Sequence, residues 1–173
     1  MYFHQTIADL LDYTDWDRRQ WFEWMSKRDA GFLRITAGTG GDGRFENVGD
    51  LVRHIFSAEK RWIDRLVNRP ITDTATVPND NVEGLFAFGR ESRRDLREYL
   101  ETLSAEDAAT PQEFTLMNQS FQATPKKIVT HVLMHEVRHW AQIATVLRLN
   151  GLKVDMHDFL FSPVMGAELL LGA

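Results

Sequence analysis

Apolar residues recur at helical spacing in four stretches of the chain, and that spacing predicts four long helices. The first runs from about Phe3 to Lys27, with Phe3, Ile7, Leu10, Thr14, Trp21 and Met25 near one stripe and Asp9, Asp12, Asp15 and Asp17 mainly outside it. The second follows Asn47, a residue suited to cap a helix, through Leu51, Ile55, Ala58, Trp62 and Leu66, and stops before Pro70. His54 falls at the edge of that stripe. The third begins after Asn81 and carries Val82, Leu85, Phe86, Gly89, Leu96, Leu100 and Leu103 on a broad apolar face. The fourth is the best delimited, because Thr124-Pro125 is a cap-then-proline start and Asn150-Gly151 a helix-ending pair. It would be ~40 Å long at 1.5 Å per residue, enough to run the length of a bundle.

Between the third and fourth helices, QEFTLMNQSFQA places β-favouring residues around a polar Met117-Asn118-Gln119 turn, which predicts a small hairpin or extended loop. Long amphipathic helices without repeats predict an all-α fold, a four-helix bundle. The tail after Gly151 contains Phe159, Leu160, Phe161 and Leu169 to Leu171, which should pack on the bundle or on a second subunit. At 173 residues, 43% apolar and 11% aromatic, the chain fits one domain, 1–173, with a substantial core.

Charge and composition narrow the function. A net charge of −5 with dispersed Lys and Arg argues against a protein that holds nucleic-acid phosphates. No cysteine is present, so disulfides, thiolate ligands and a protein thiol nucleophile are excluded, and imidazole and carboxylate remain as metal ligands. The N-terminus, MYFHQTIADLLDYTD, has no signal-peptide pattern, and no stretch is long and apolar enough to span a bilayer; the expectation is a cytoplasmic protein.

Chemistry concentrates in the fourth helix, where His131-Val-Leu-Met-His135-Glu-Val-Arg-His139 holds half of the six histidines. A step of four residues turns a helix by only ~40° and advances it ~6 Å, so neighbouring pairs of imidazoles point the same way and can grip one ion. His131 and His139 would lie ~12 Å apart, so at most two of the three serve a single ion and another segment completes the site. His54 is the obvious donor. The default for a lone histidine, as for His4, His131 and His157, is an imidazole satisfied by a hydrogen bond, whereas several imidazoles in an apolar bundle need partners.

Two further patterns compete for attention. HEVRH, from His135 to His139, satisfies the zinc-protease motif, in which Glu136 would activate water. Such a protease also needs a substrate-aligning sheet and a downstream third ligand, and two possible ones, His157 and Glu168, sit in a tail without a convincing helical or strand pattern. Gly38-Thr-Gly40-Gly41-Asp-Gly43 spells a dinucleotide-binding G-x-G-x-x-G, but it follows a helix rather than a strand, so a connector is the better reading.

Taken together and in order, LLDYTDWDRRQWFEWM, HIFSAEKRWIDRL, the hairpin segment and HVLMHEVRHWAQIATVLRLNG resemble the DinB-like family of damage-inducible and related bacterial proteins over nearly the whole chain. The resemblance implies a four-helix bundle that holds a divalent metal, nickel or zinc, with three histidines: His54 from the second helix, and His135 with His139 from the fourth. His131 matches a position often occupied by histidine without being one of the usual ligands. Gln142 matches a recurrent glutamine after the second histidine of the pair, where it would orient a ligand or bound water. Glu136 and Arg138 lie off the His135/His139 direction and read as solvated surface groups or as groups backing the ligands.

The characterised enzymes of the wider superfamily are largely metal-dependent transferases and isomerases that use low-molecular-weight thiols such as bacillithiol, mycothiol or glutathione. The resemblance therefore implies a thiol transferase, with two other classes beside it: a metal-assisted hydrolase, and a bundle that binds metal or a small ligand without turnover. It also points to dimers. Trp16, Trp21, Trp24 and Phe32 are more aromatic residues than one helix's inner face accommodates, and a symmetric homodimer would cover them.

Overall fold

The computed structural model describes residues 6–38, 45–116 and 118–166. It is mostly helical: α1 (Ile7–Ser26), α2 (Val48–Leu66), α3 (Val82–Thr102), the short α4 (Ala105–Ala109) and α5 (Pro125–Leu149), with a two-stranded sheet of β1 (Gln112–Leu116) and β2 (Gln119–Ala123) between α4 and α5.

Local capping chemistry sets the helix ends. The Thr6 hydroxyl accepts from the Asp9 amide while the Asp9 carboxylate accepts from the Thr6 amide, a reciprocal box that starts α1 at Ile7. The expected start at Phe3 lies outside the described residues. Asn47, Asn81 and Thr124 each accept from the backbone amide three residues on and open α2, α3 and α5, the last with Pro125 in its first turn. α5 ends at Asn150 followed by Gly151, whose φ of +80° suits a residue without a Cβ. The one-turn α4, capped by Ser104, has no buried residue and so no apolar stripe that would announce it.

The hairpin closes antiparallel in the register Phe114↔Phe121, with Asn118 at φ +61° in its turn. Both phenylalanines meet Trp62 of α2 edge-on, at 5.8 and 6.1 Å between centroids, so the hairpin covers one end of the α2/α5 pair. The tail packs back on α1. Val154 is buried in the core, Trp24 Nε1 donates to the Lys153 carbonyl, the Tyr13 hydroxyl donates to the His157 carbonyl, and Phe159 stands edge-on to Tyr13. Leu169 to Leu171 lie outside the described residues, as do Gly40, Gly41 and Gly43 of the glycine-rich connector.

The aromatic surplus of the first helix is used inside the protomer. Trp21 and Trp24 are 1% exposed and Phe32 6%, with Trp21 stacked on Trp140 at 5.0 Å; only Trp16 is half-exposed. Asp17 departs from the stripe reading, being buried with its carboxylate 2.8 Å from His157 Nδ1. Burial pushes its pKa up, and the His157 hydrogen bond works against that.

The apolar core falls into two clusters. One gathers Trp21, Trp24, Ile55, Phe56, Phe86 and Trp140; the other gathers Leu11, Trp62, Leu96, Phe114 and Leu133. Between them each long helix contributes one charged side chain: Arg18, Glu59, Arg93 and Glu136, all under 9% exposed. Arg18 bridges Glu136 at 2.6 Å and Glu59 at 3.0 Å, and Arg93 bridges the same pair at 2.7 and 3.0 Å. Ser92 donates to Glu59, Trp140 Nε1 donates to Glu136, and Arg18 also donates to the Gly89 carbonyl. Two guanidiniums and two buried carboxylates thus form a densely hydrogen-bonded layer, with Asp15, itself paired to Arg97, meeting Arg93 at 2.8 Å on its edge, the condition under which buried charge is tolerated. Burial alone would push the Arg18 pKa down, but Glu136 and Glu59 hold it above its ordinary value.

Replacing Arg93 with Met leaves Glu59 and Glu136 short of a counter-charge. The expected loss is about 3–5 kcal/mol of unfolding free energy in urea at pH 7. A loss under about 1 kcal/mol would mean that the layer behaves as solvated surface pairs do.

Candidate metal centre

His54 stands on α2 one turn before Ala58, while His135 and His139 stand four residues apart on α5, and the packing of α2 against α5 turns all three toward one point. His135 Nε2 lies 3.1 Å from His54 Nε2 and 3.1 Å from His139 Nε2. One donor atom from each of the three falls within 4.8 Å of the others, which brings together the three residues that the family resemblance implied.

Ring nitrogens at this spacing cannot all satisfy one another, because each neutral imidazole has one N–H and one lone pair. One ion resolves the conflict. Three nitrogens ligating zinc at ~2.0–2.1 Å stand roughly 3.3 Å apart at tetrahedral angles, close to the separations here. His139 is 3% exposed, and His54 and His135 are half-buried. At His135 burial first, then the neighbouring His139, His54 and His131 and the Arg138 charge, push the pKa from 6.5 down to about 3. An imidazole neutral at pH 7 has its lone pair free for a metal.

Two neighbours complete the setting. The Gln142 amide oxygen is 2.9 Å from His139 Nδ1; as an acceptor it fixes the ring proton on Nδ1 and leaves Nε2 as the ligating atom. Gln142 therefore orients the His139 ring. Phe45 lies with its ring centroid 4.6 Å from that of His54 and 6.0 Å from that of His139, an apolar wall against two of the three imidazoles. His135 Nδ1 is buried with no hydrogen-bond partner, an orphan that leaves this ring held by packing.

The remaining candidates are elsewhere. His131 is exposed on α5, its ring 5.6 Å from that of His135 and 6.3 Å from that of Trp62, and it does not join the cluster. Burial and then Arg138 lower its pKa. His157 is bound to Asp17 and stacked on Trp21 at 4.3 Å, and His4 and Glu168 lie outside the described residues.

Glu136 overturns its expected place on a solvated face. It is 1% exposed and faces the charged layer, bonded to Arg18, Arg93 and Trp140, because one residue's advance along the helix rotates it ~100° from His135 into the interior. A carboxylate tied to two guanidiniums there is not the water-activating base that the HEVRH protease pattern requires. Arg18, Glu59 and Arg93 went unremarked in the sequence, although each sits at helical spacing inside an apolar stripe: a charge in such a stripe on each of four helices, two of each sign, is a readable signal.

Helices that bring three histidines and no carboxylate to one point define a bundle with an imidazole site suited to a divalent metal. The DinB family model matches residues 1–168, and the chain belongs to the DinB family. No curated protein matches it significantly. Among the described residues no helix is long and apolar enough to cross a membrane.

Isothermal titration with zinc should show affinity falling more than ~100-fold in His54→Ala, about tenfold in Gln142→Ala, and hardly at all in His131→Ala. Equal losses in the two histidine variants would contradict the assignment. A second expectation concerns acid. His135 is held below its unfolded value of ~6.5, so as pH falls the unfolded chain takes up this proton first. Its contribution to the stability of the metal-free protein is complete above ~6.5 and is lost on the way down to about 3. The melting temperature of metal-free protein should drop between pH 7.5 and pH 5, less steeply in His135→Gln; parallel curves would remove His135 as the cause.

Proposed function

We propose that this protein is a metal-dependent transferase in which His54, His135 and His139 hold a divalent ion, nickel or zinc, and a low-molecular-weight thiol such as bacillithiol, mycothiol or glutathione attacks an electrophile. The convergence of three ring nitrogens, without a carboxylate or thiolate among them, carries this reading. Neutral ligands leave the charge of the ion undiminished, and when bound it lowers the pKa of a coordinated thiol so that thiolate is present at neutral pH.

The chain's own residues supply the setting. His54 comes from a different helix than His135 and His139, so the site exists only in the folded bundle. Gln142 keeps His139 in the ligating tautomer. Phe45 presents an apolar wall to His54 and His139, which disfavours water as the competing nucleophile and so ranks transfer above hydrolysis. The proposal includes a cytoplasmic homodimer. The family resemblance and the exposed Leu149, Met156, Leu160 and Met165 support the pairing.

Metal analysis should find about one divalent ion per chain, the number three histidines complete. The metal-replete protein should consume an electrophile such as 1-chloro-2,4-dinitrobenzene faster than the thiol alone does, and the excess rate should disappear on chelation and in His135→Ala. Turnover without added thiol would replace this reading with a hydrolase. Stoichiometric metal with neither activity, across all three thiols and several electrophiles, would leave a non-catalytic metal-binding bundle.

A further inference from the structure

Two clefts flank the histidine cluster, and their charges differ. The cleft beside His54, about 460 Å³, is balanced, with Arg53 and Arg61 facing Glu46 and Asp50. The cleft along α5 beside His135, about 670 Å³, is lined by Lys126, Lys127 and Arg138 together with His131 and Met134, and by no Asp or Glu. This is a one-signed surface on a chain with 25 acidic and 20 basic residues. Neither Lys127 nor Arg138 has a carboxylate within ion-pair distance among the described residues. His135 belongs to both the cleft and the cluster, so whatever occupies the cleft lies against the metal ligands.

A divalent ion with three imidazole ligands, flanked on this side by cations and by no carboxylate of the cleft lining, is a local excess of positive charge, and an anion is the natural complement. Resting on the thiol reading, we propose that the α5 cleft selects a thiol that carries a carboxylate, with Lys127 and Arg138 drawing the carboxylate while the sulfur is directed to the histidine cluster. His131 and Met134 line the path between, a neutral donor and an exposed thioether-bearing chain against which the body of the thiol lies. Arg138 follows His135 by three residues and so shares its side of the helix, and its charge reaches both His131 and His135. Lys127 precedes His131 by one turn on the same side. On binding, the thiol would give its proton to solvent and its sulfur would take a position on the ion held by His54, His135 and His139, and no other bond would be made or broken.

The test uses cobalt-loaded protein and follows the sulfur-to-metal absorption band during titration with 3-mercaptopropionate, 2-mercaptoethanol and cysteamine, which are anionic, neutral and cationic. The anionic thiol should bind roughly tenfold tighter than the neutral one, with the cationic thiol weakest, and the ratio should shrink as salt is added. Arg138→Gln should reduce the ratio about threefold and Lys127→Gln, eight residues from His135, by less, with cobalt stoichiometry unchanged in both. Bands with no charge preference, or a preference that survives in both variants and so reflects chelation by the thiol itself, would overturn the proposal and leave the thiol reading standing. If no thiol gives a band while acetate shifts the visible cobalt spectrum in wild type and not in Arg138→Gln, the thiol reading fails and the anion selection holds. No response to either class of ligand overturns both.

Discussion

The charged layer across the middle of the bundle is the constraint on which the rest of the structure depends. Arg18, Glu59, Arg93 and Glu136 come from four different helices, and they lie buried between two apolar clusters. Sliding or rotating any one helix would leave a buried charge without its partners, a cost of several kcal/mol that general apolar packing would not impose, since hydrophobic contact tolerates small shifts. The layer therefore acts on register and rotation more than on net stability. It fixes α5 in particular: with Glu136 held inward by two guanidiniums, His135 and His139 are turned out of the core toward α2 and His54.

The histidine cluster, which could hold a metal ion, is positioned differently. Its three imidazoles are presented by rigid helices, one of them steered by Gln142 and another held only by packing. A site on helix faces is set by the packing of two long elements rather than by loops, so its geometry is only as exact as the α2/α5 contact. Phe56 illustrates how tight the surrounding packing is: its ring lies so close over Gly89 of α3 that a Cβ there would meet ring carbons at 2.8 Å. The same α2 therefore carries a histidine to α5 on one side and an aromatic ring into α3 on the other.

Much of this was legible in the sequence because much of it is local. Asn47, Asn81 and Thr124 cap their helices through bonds three residues long, the Asn118 turn needs only its own backbone, and the His135/His139 pair follows from helical pitch. The Thr6–Asp9 box at the start of α1 is equally local. Glu136 is different. A lone acidic residue on a helix reads as solvated, and what holds it inside is contributed by Arg18 and Arg93, 118 and 43 residues away in sequence. Asp17 repeats the lesson, its partner His157 being 140 residues distant. The contact of Gln142 with His139 was half-visible: the spacing of three placed the amide beside the ring, but only geometry shows that it meets the nitrogen and not a solvent molecule.

The hairpin has a consequence for size. It closes immediately before Thr124, the residue at which both α5 and the cleft along it begin, and its phenylalanines are anchored on Trp62. From His135 back to Thr124 is eleven residues of helix, or roughly 16 Å at 1.5 Å each. The sheet thus stands at the far end of that cleft from the histidine cluster, with its strand ends rather than its turn adjoining Thr124.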